Sequence, residues 1–146
     1  MTFIGELCLF SRILVPVDGS GYAENAVRHA SDLARKYGSS VTLIHVVATK
    51  VYAMAEVGVL ISKDLEKEGK EILRKSQELA SSLGISTNTK LASGVPAEEI
   101  LRFADSEKFD LIVMGSRGLS EVKAFLLGSV SDKVSHHAKC PVLVVR

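Results

Sequence analysis

Cysteine is scarce in this chain: Cys8 and Cys140 are the two among 146 residues. A small secreted domain stapled by disulfides carries more of them, at closer spacing, so that class is excluded. A reducing, cytoplasmic setting is expected, with both thiols as small buried hydrophobes. Charge of one sign is missing too. Eighteen Lys and Arg against 17 Asp and Glu leave a formal net charge of +1. That is no footprint for a phosphate backbone, so no nucleic-acid partner is expected. Long apolar runs are absent, the longest being of strand length against the roughly 20 residues a membrane span takes. The opening MTFIGELCLFSRILVPV is interrupted by Glu6 and Arg12. With no basic segment before it and no small-residue cleavage site after it, neither a leader nor a membrane partner is expected. Internal repeats and interdomain linkers are also lacking. What remains suits one domain, because 47% of the residues are hydrophobic and a chain near this length buries roughly 70% of its unfolded surface.

Four short apolar runs are rich in β-branched residues: Ile13 to Val17, Val41 to Val47, Leu111 to Met114 and Val142 to Val145. They lack polar alternation, as strands covered on both faces do. Pro16 has no amide hydrogen for a central ladder, so it belongs at the carboxyl end of its strand. Ala23, Ala26, Val27, Ala30, Leu33, Ala34 and Tyr37 follow a helical period, with Ser20 placed to cap and Gly38 to end it. A second helix is expected from about Leu60 to Leu83, stopped by Gly84, and a weaker edge strand over Ile85–Ala92. Pro96 opens a third helix, with Glu98 and Glu99 in its first turn. A last helix runs from about Ser129 to Ala138. Thr49–Gly58 has no clear period and is expected to be a mobile loop. Strict alternation of strand and helix predicts a parallel sheet with helices on both faces.

Ligands of such sheets sit beyond the carboxyl ends of the strands, where strand order switches. Asp18-Gly-Ser20 follows the first strand and Gly115-Ser-Arg-Gly118 the fourth, with Gly128-Ser129 at the mouth of the last helix. Glycines allow close backbone approach, and a helix N-terminus offers unpaired N–H groups to an anion. The two segments can hold a di- or triphosphate, with Asp18 accepting from ribose hydroxyls or holding Mg²⁺ through water. Each part also has a plain structural explanation. Glycines make turns, Asp18 bonds backbone amides, and Ser129-x-x-Asp132 reads as a capping box. Their concurrence on one side of the sheet favours the ligand.

Gly115-x2-Gly118-x9-Gly128-Ser129 matches the nucleotide-binding signature of the universal stress protein family. The blocks Ile13 to Ser20, His45-Val46, Gly94 to Ile100, Asp110 to Gly115 and Pro141 to Val145 resemble that family in order. The resemblance spans residues 12–146, with residues 1–11 as an N-terminal extension of no assigned role. It implies an α/β fold, a single Rossmann-like domain of the adenine nucleotide alpha hydrolase-like kind, with a five-stranded parallel sheet of order 3-2-1-4-5. It also implies bound ATP, alone or with Mg²⁺. Asp18 then lies by ribose and phosphates, Val46 contacts adenine, and Gly115, Gly118, Gly128 and Ser129 hold the phosphates. Pro16, Val17, Met114, Arg117, Val130 and Ser131 complete the expected binding set. The resemblance further implies a homodimer through the final strand, Val142–Val145, whose exposed apolar edge would otherwise invite aggregation.

Neither a Walker A sequence nor a kinase Asp-Phe-Gly occurs, and no base is evident for an attacking water. A nucleotide-dependent regulatory module of the stress response is therefore expected, with at most slow ATP hydrolysis. Two alternatives stand beside it. One is a slow ATPase or autophosphorylating protein using Asp18, with Ser129 or Ser131 as acceptor; the other is a dimeric interaction protein that binds no nucleotide. His136, His137 and Cys140 match no common zinc spacing, and the His pair better complements a helix C-terminus. Arg117 is open to phosphate or to solvent. Lys63, Lys67 and Lys70 with Asp64, Glu66, Glu68 and Glu71 read as a solvated helix face.

Overall fold

The computed structural model describes residues 9–48, 55–119 and 126–146, with side chains described from residue 63 onward in the second helix. The elements are β1 (Arg12–Pro16), α1 (Gly21–Tyr37), β2 (Ser40–Ala48), α2 (Ala55–Ser82), β3 (Thr87–Gly94), α3 (Pro96–Ser106), β4 (Leu111–Gly115), α4 (Ser129–His137) and β5 (Val142–Val145). Every strand pair is parallel, in the order β3-β2-β1-β4-β5. The period of two along each strand divides the apolar residues between two cores. Ile13, Val15, Leu43, Leu111 and Val113 pack under α1 and α2. Leu14, Ile44, Ile112 and Met114 pack under α3 and α4. Burying one such side chain stabilises the fold by about 1.5–3 kcal/mol, and both faces of β4 are buried throughout. β3 is the polar edge strand that its sequence suggests.

Local chemistry sets most boundaries. Ser20 Oγ accepts from the Ala23 amide at 3.1 Å to start α1, and Gly38 ends it at φ 68°. Pro96 stands in the first turn of α3. Two elements, α2 and β3, differ most from expectation, and β3 runs on to Gly94 rather than Ala92. α2 begins at Ala55 rather than Leu60, so Ala55–Gly58 is helix and not loop, while Thr49–Met54 lie outside the described residues. Ala55 and Glu56 are good helix formers, and a glycine inside a helix costs about 1 kcal/mol without stopping it. β3 begins at Thr87 rather than Ile85 because the Ile85 amide is used to close α2, donating to the Ala80 carbonyl at 3.0 Å. Ahead of β1, the Phe10 ring meets Tyr37 edge-on at 5.7 Å, and the Ser11 carbonyl accepts from the Ser40 amide at 2.9 Å. Phe10 and Ser11 are thus attached to the domain, and Cys8 lies outside the described residues. Among those residues, no helix is long and apolar enough to cross a membrane.

β1 and β4 are the neighbours at which strand order reverses, and they stay in register for only two pairs, Ile13↔Leu111 and Leu14↔Ile112. Beyond them Pro16 closes β1 without an N–H to give. The strands part there, opening a crevice at the carboxyl side of the sheet.

Candidate functional site

A cavity of about 310 Å³ occupies that crevice. Every residue of the expected binding set lines it: Pro16, Val17, Asp18, Val46, Met114, Gly115, Arg117, Gly118, Gly128, Ser129, Val130 and Ser131. Its two walls differ. One is apolar and continuous with the α3/α4 core, formed by Ile44, Val46, Ile100, Met114 and Val130. The other carries Asp18, the two glycine segments and the start of α4.

The Asp18 loop is fixed from β2. The Val17 amide donates to the Ile44 carbonyl at 2.9 Å, the last ladder bond on that side. His45 Nδ1–H then donates to the Val17 carbonyl at 2.7 Å, so that a side chain replaces the next backbone donor. Gly19 turns the chain at φ 85°. Asp18 Oδ1 accepts from the Ser20 amide at 3.0 Å, which leaves Oδ2 directed at Gly118, where an added Cβ would overlap it.

The glycines make room first for the protein itself. A Cβ at Gly115 would lie 2.7 Å from Tyr22 Cβ and 2.9 Å from its carbonyl carbon, so this glycine seats the first turn of α1 against β4. A Cβ at Gly128 would lie 3.2 Å from Arg117 Cα. The Gly128 amide donates to the Ser116 carbonyl at 2.8 Å. Ser131 Oγ shares its proton between the carbonyls of Ser116 at 2.8 Å and Gly128 at 3.0 Å. Ser131 is 2% exposed, and its hydroxyl ties the two segments together.

Gly128 is the N-cap of α4 and no side chain caps it. The capping box expected of Ser129 does not form, because Ser129 is already the first helical residue and its side chain is exposed. The first-turn amides of α4 therefore meet the cavity at the positive end of the helix dipole. Arg117 lines the cavity and also rests against α1. Its guanidinium carbon lies 5.7 Å from the Tyr22 ring centroid, and Nη1–H donates to the Tyr22 hydroxyl at 3.4 Å.

Ala23, Ile44, His45, Pro96, Ile100 and Leu119 also line the cavity. Pro96 follows the carboxyl end of β3, so the strand-end rule that found Asp18 could have found it, while His45 and Ile100 lie in blocks that resemble the family. The weaker sequence candidates lie elsewhere. His136 Nδ1–H donates to the Asp132 carbonyl at 2.9 Å within α4. Burial pushes the Cys140 thiol up, and among the described residues no three His, Cys, Asp or Glu converge as metal ligands. On α2, Lys70 pairs with Glu66 at 2.9 Å and Arg74 with Glu71 at 2.6 Å, on the solvated face expected there.

Residues 9–146 match the model of the universal stress protein family. Universal stress protein MJ0531 of Methanocaldococcus jannaschii is 39% identical over 145 residues, covering 94% of this chain and 83% of that protein. The solved universal stress protein UspA from Lactobacillus plantarum superposes with a TM-score of 0.84 at 28% identity, over 94% of this chain and 98% of that one. Two further solved structures are complexes. A universal stress protein with cAMP has a TM-score of 0.75 at 25% identity, covering 94% of this chain and 98% of that one. The Archaeoglobus fulgidus universal stress protein with dAMP has a TM-score of 0.71 at 26% identity, covering 94% and 99%.

Proposed function

The chain belongs to the universal stress protein family, and from that premise we propose that it is an ATP-binding regulatory module of the cytoplasmic stress response. One observation carries the reading: an apolar wall faces a polar wall made of a carboxylate and an uncapped helix N-terminus, within one cavity. Such a pairing suits a ligand with a flat apolar base at one end and an anion at the other. Adenine packs on Val46, Met114 and Val130. Asp18 Oδ2 accepts from ribose hydroxyls or holds Mg²⁺ through water. The phosphates take the first-turn amides of α4 and the Ser129 hydroxyl. The cAMP and dAMP complexes of its relatives support an adenine nucleotide.

Hydrolysis is slow at most. His45 spends its Nδ1 proton on Val17 and Ser131 spends its hydroxyl on two carbonyls, which leaves Asp18 to position any attacking water. The protein pairs as a homodimer through β5, an edge strand on which Leu143 is 39% exposed.

Calorimetric titration of nucleotide-stripped protein with ATP, with and without Mg²⁺, tests the reading. Gly118→Ala pushes a Cβ into the Asp18 carboxylate and is expected to weaken ATP at least about tenfold, equivalent to about 1.4 kcal/mol, with the fold intact. Folded wild-type protein that takes up no nucleotide would overturn it.

A further inference from the structure

We propose that His45 is a positioning residue for Asp18, and that through it helix α2 bears on the nucleotide site; the inference rests on the nucleotide reading above. Three observations meet at the imidazole. On one side its Nδ1–H donates to the Val17 carbonyl at 2.7 Å, at the peptide that leads from β1 into Asp18. The backbone ladder has ended there, Val17 having made its last bond to Ile44, so this bond orients the Val17–Asp18 peptide. On another side the ring abuts α2 at Gly69. A Cβ at Gly69 would lie 2.8 Å from His45 Cδ2 and 2.9 Å from Leu91 Cδ1. Downstream, Asp18 Oδ1 accepts from Ser20, the cap of α1, and Oδ2 faces Gly118. A buried glycine thus stands in the middle of α2 where alanine would be the better helix former. The space it leaves is taken by the ring that orients the Asp18 peptide. A shift of α2 by less than a methyl group's width moves that ring and, with it, the direction of the carboxylate. Packed interiors transmit such displacements because they hold few voids.

The test combines ATP titration with amide hydrogen exchange of the nucleotide-free protein. His45→Phe keeps a ring and removes the donor; His45→Asn keeps a donor near the place of Nδ1. His45→Phe is expected to weaken ATP about tenfold, the scale of one lost hydrogen bond. His45→Asn should stay within about threefold of wild type on the same scale. In an Asp18→Ala background the His45→Phe loss should vanish, since nothing is left to position. The same loss in that background would make His45 a direct ligand contact and overturn the proposal.

Gly69→Ala, at a residue that does not line the cavity, is expected to weaken ATP as well, and it serves as the second variant if His45→Phe fails to fold. ATP affinity unchanged by Gly69→Ala would remove α2 from the proposal. Without nucleotide, both variants should hasten exchange of the Ser20 amide relative to the interior amides of α1; unaltered exchange in both overturns the positioning role. Wild-type protein that binds no ATP, together with faster Ser20 exchange in the variants, would refute the nucleotide reading and leave the positioning role standing.

Discussion

Two aspartates stand at opposite ends of the same pair of strands and do different things. Asp110, at the amino end of β4, has both oxygens engaged: Oδ2 accepts from the Ser11 amide at 2.9 Å and Oδ1 from the Arg12 amide at 3.0 Å. Its own amide donates to the Arg12 carbonyl at 3.0 Å. The carboxylate extends the β1–β4 pairing ahead of the first strand residues and closes that end. Asp18, at the carboxyl end of β1, has Oδ1 engaged by Ser20 and turns Oδ2 toward Gly118 in the cavity. A closed end holds strands together, and an open end is where a ligand finds acceptors. The glycines divide in the same way. Gly115 admits a neighbouring helix, whereas Gly118 admits a carboxylate.

The largest effect that sharpens this contrast is expected for Gly115→Ala. Its Cβ would meet the Tyr22 backbone, which cannot swing aside as a side-chain tip would. A loss of about 3 kcal/mol in unfolding free energy is expected from urea denaturation. Asp110→Ala comes next, returning two exposed strand-end amides to water, at about 1 kcal/mol of stability. Calorimetry on the folded protein should find its ATP affinity within about twofold of wild type. Asp18→Asn reverses that pattern. Its side-chain oxygen still accepts from Ser20, so stability should change by no more than about 0.5 kcal/mol. ATP affinity should fall about tenfold as the charge is lost. If instead Asp18→Asn unfolds the protein and Asp110→Ala abolishes binding, the assignment of the two ends is wrong.

The smallest effect is one of pH and belongs to the closed end. Lys139, in the turn before β5, donates to Asp105 Oδ2 at 3.0 Å and holds that carboxyl below its usual range. Because the folded value lies below the unfolded one, the pair's contribution is present above the ordinary carboxylate pKa. It is lost as pH falls through the folded value. The slight advantage of wild type over Asp105→Asn at neutral pH should therefore shrink as pH drops below about 4, as read from thermal midpoints across that window.

Much of the site was legible before any coordinates. Asp18 and Gly118 follow apolar runs and Gly128-Ser129 opens the last helix, and the rule that ligands gather at strand carboxyl ends needs only the order of elements. Ser20, Gly38 and Pro96 are legible for a related reason: caps and first turns are local chemistry, confined to a few neighbouring residues. The start of α2 was not, since Thr49–Gly58 carries no period that marks Ala55 as the first helical residue. The capping box at Ser129 misled because a serine followed by an acid three residues on has the same pattern whether it is the cap or the first helical residue. Only the backbone placed Gly128 in the capping position. His45 gave no hint of its task, because the acceptor it serves lies just past the end of another strand, 28 residues earlier.

The sequence by itself determined the alternation of strand and helix, the burial of the sheet on both faces and the side of the sheet on which the cavity opens. These follow from hydrophobic period and from the residues that end each element. Only the tertiary structure decided what each glycine makes room for, which oxygen of Asp18 stays turned to the cavity, and that Ser131 and Arg117 face protein partners. Those outcomes depend on where α1 and α2 come to rest on β4 and β2. Such contacts are set by close packing between segments far apart in the chain, and no local period encodes them.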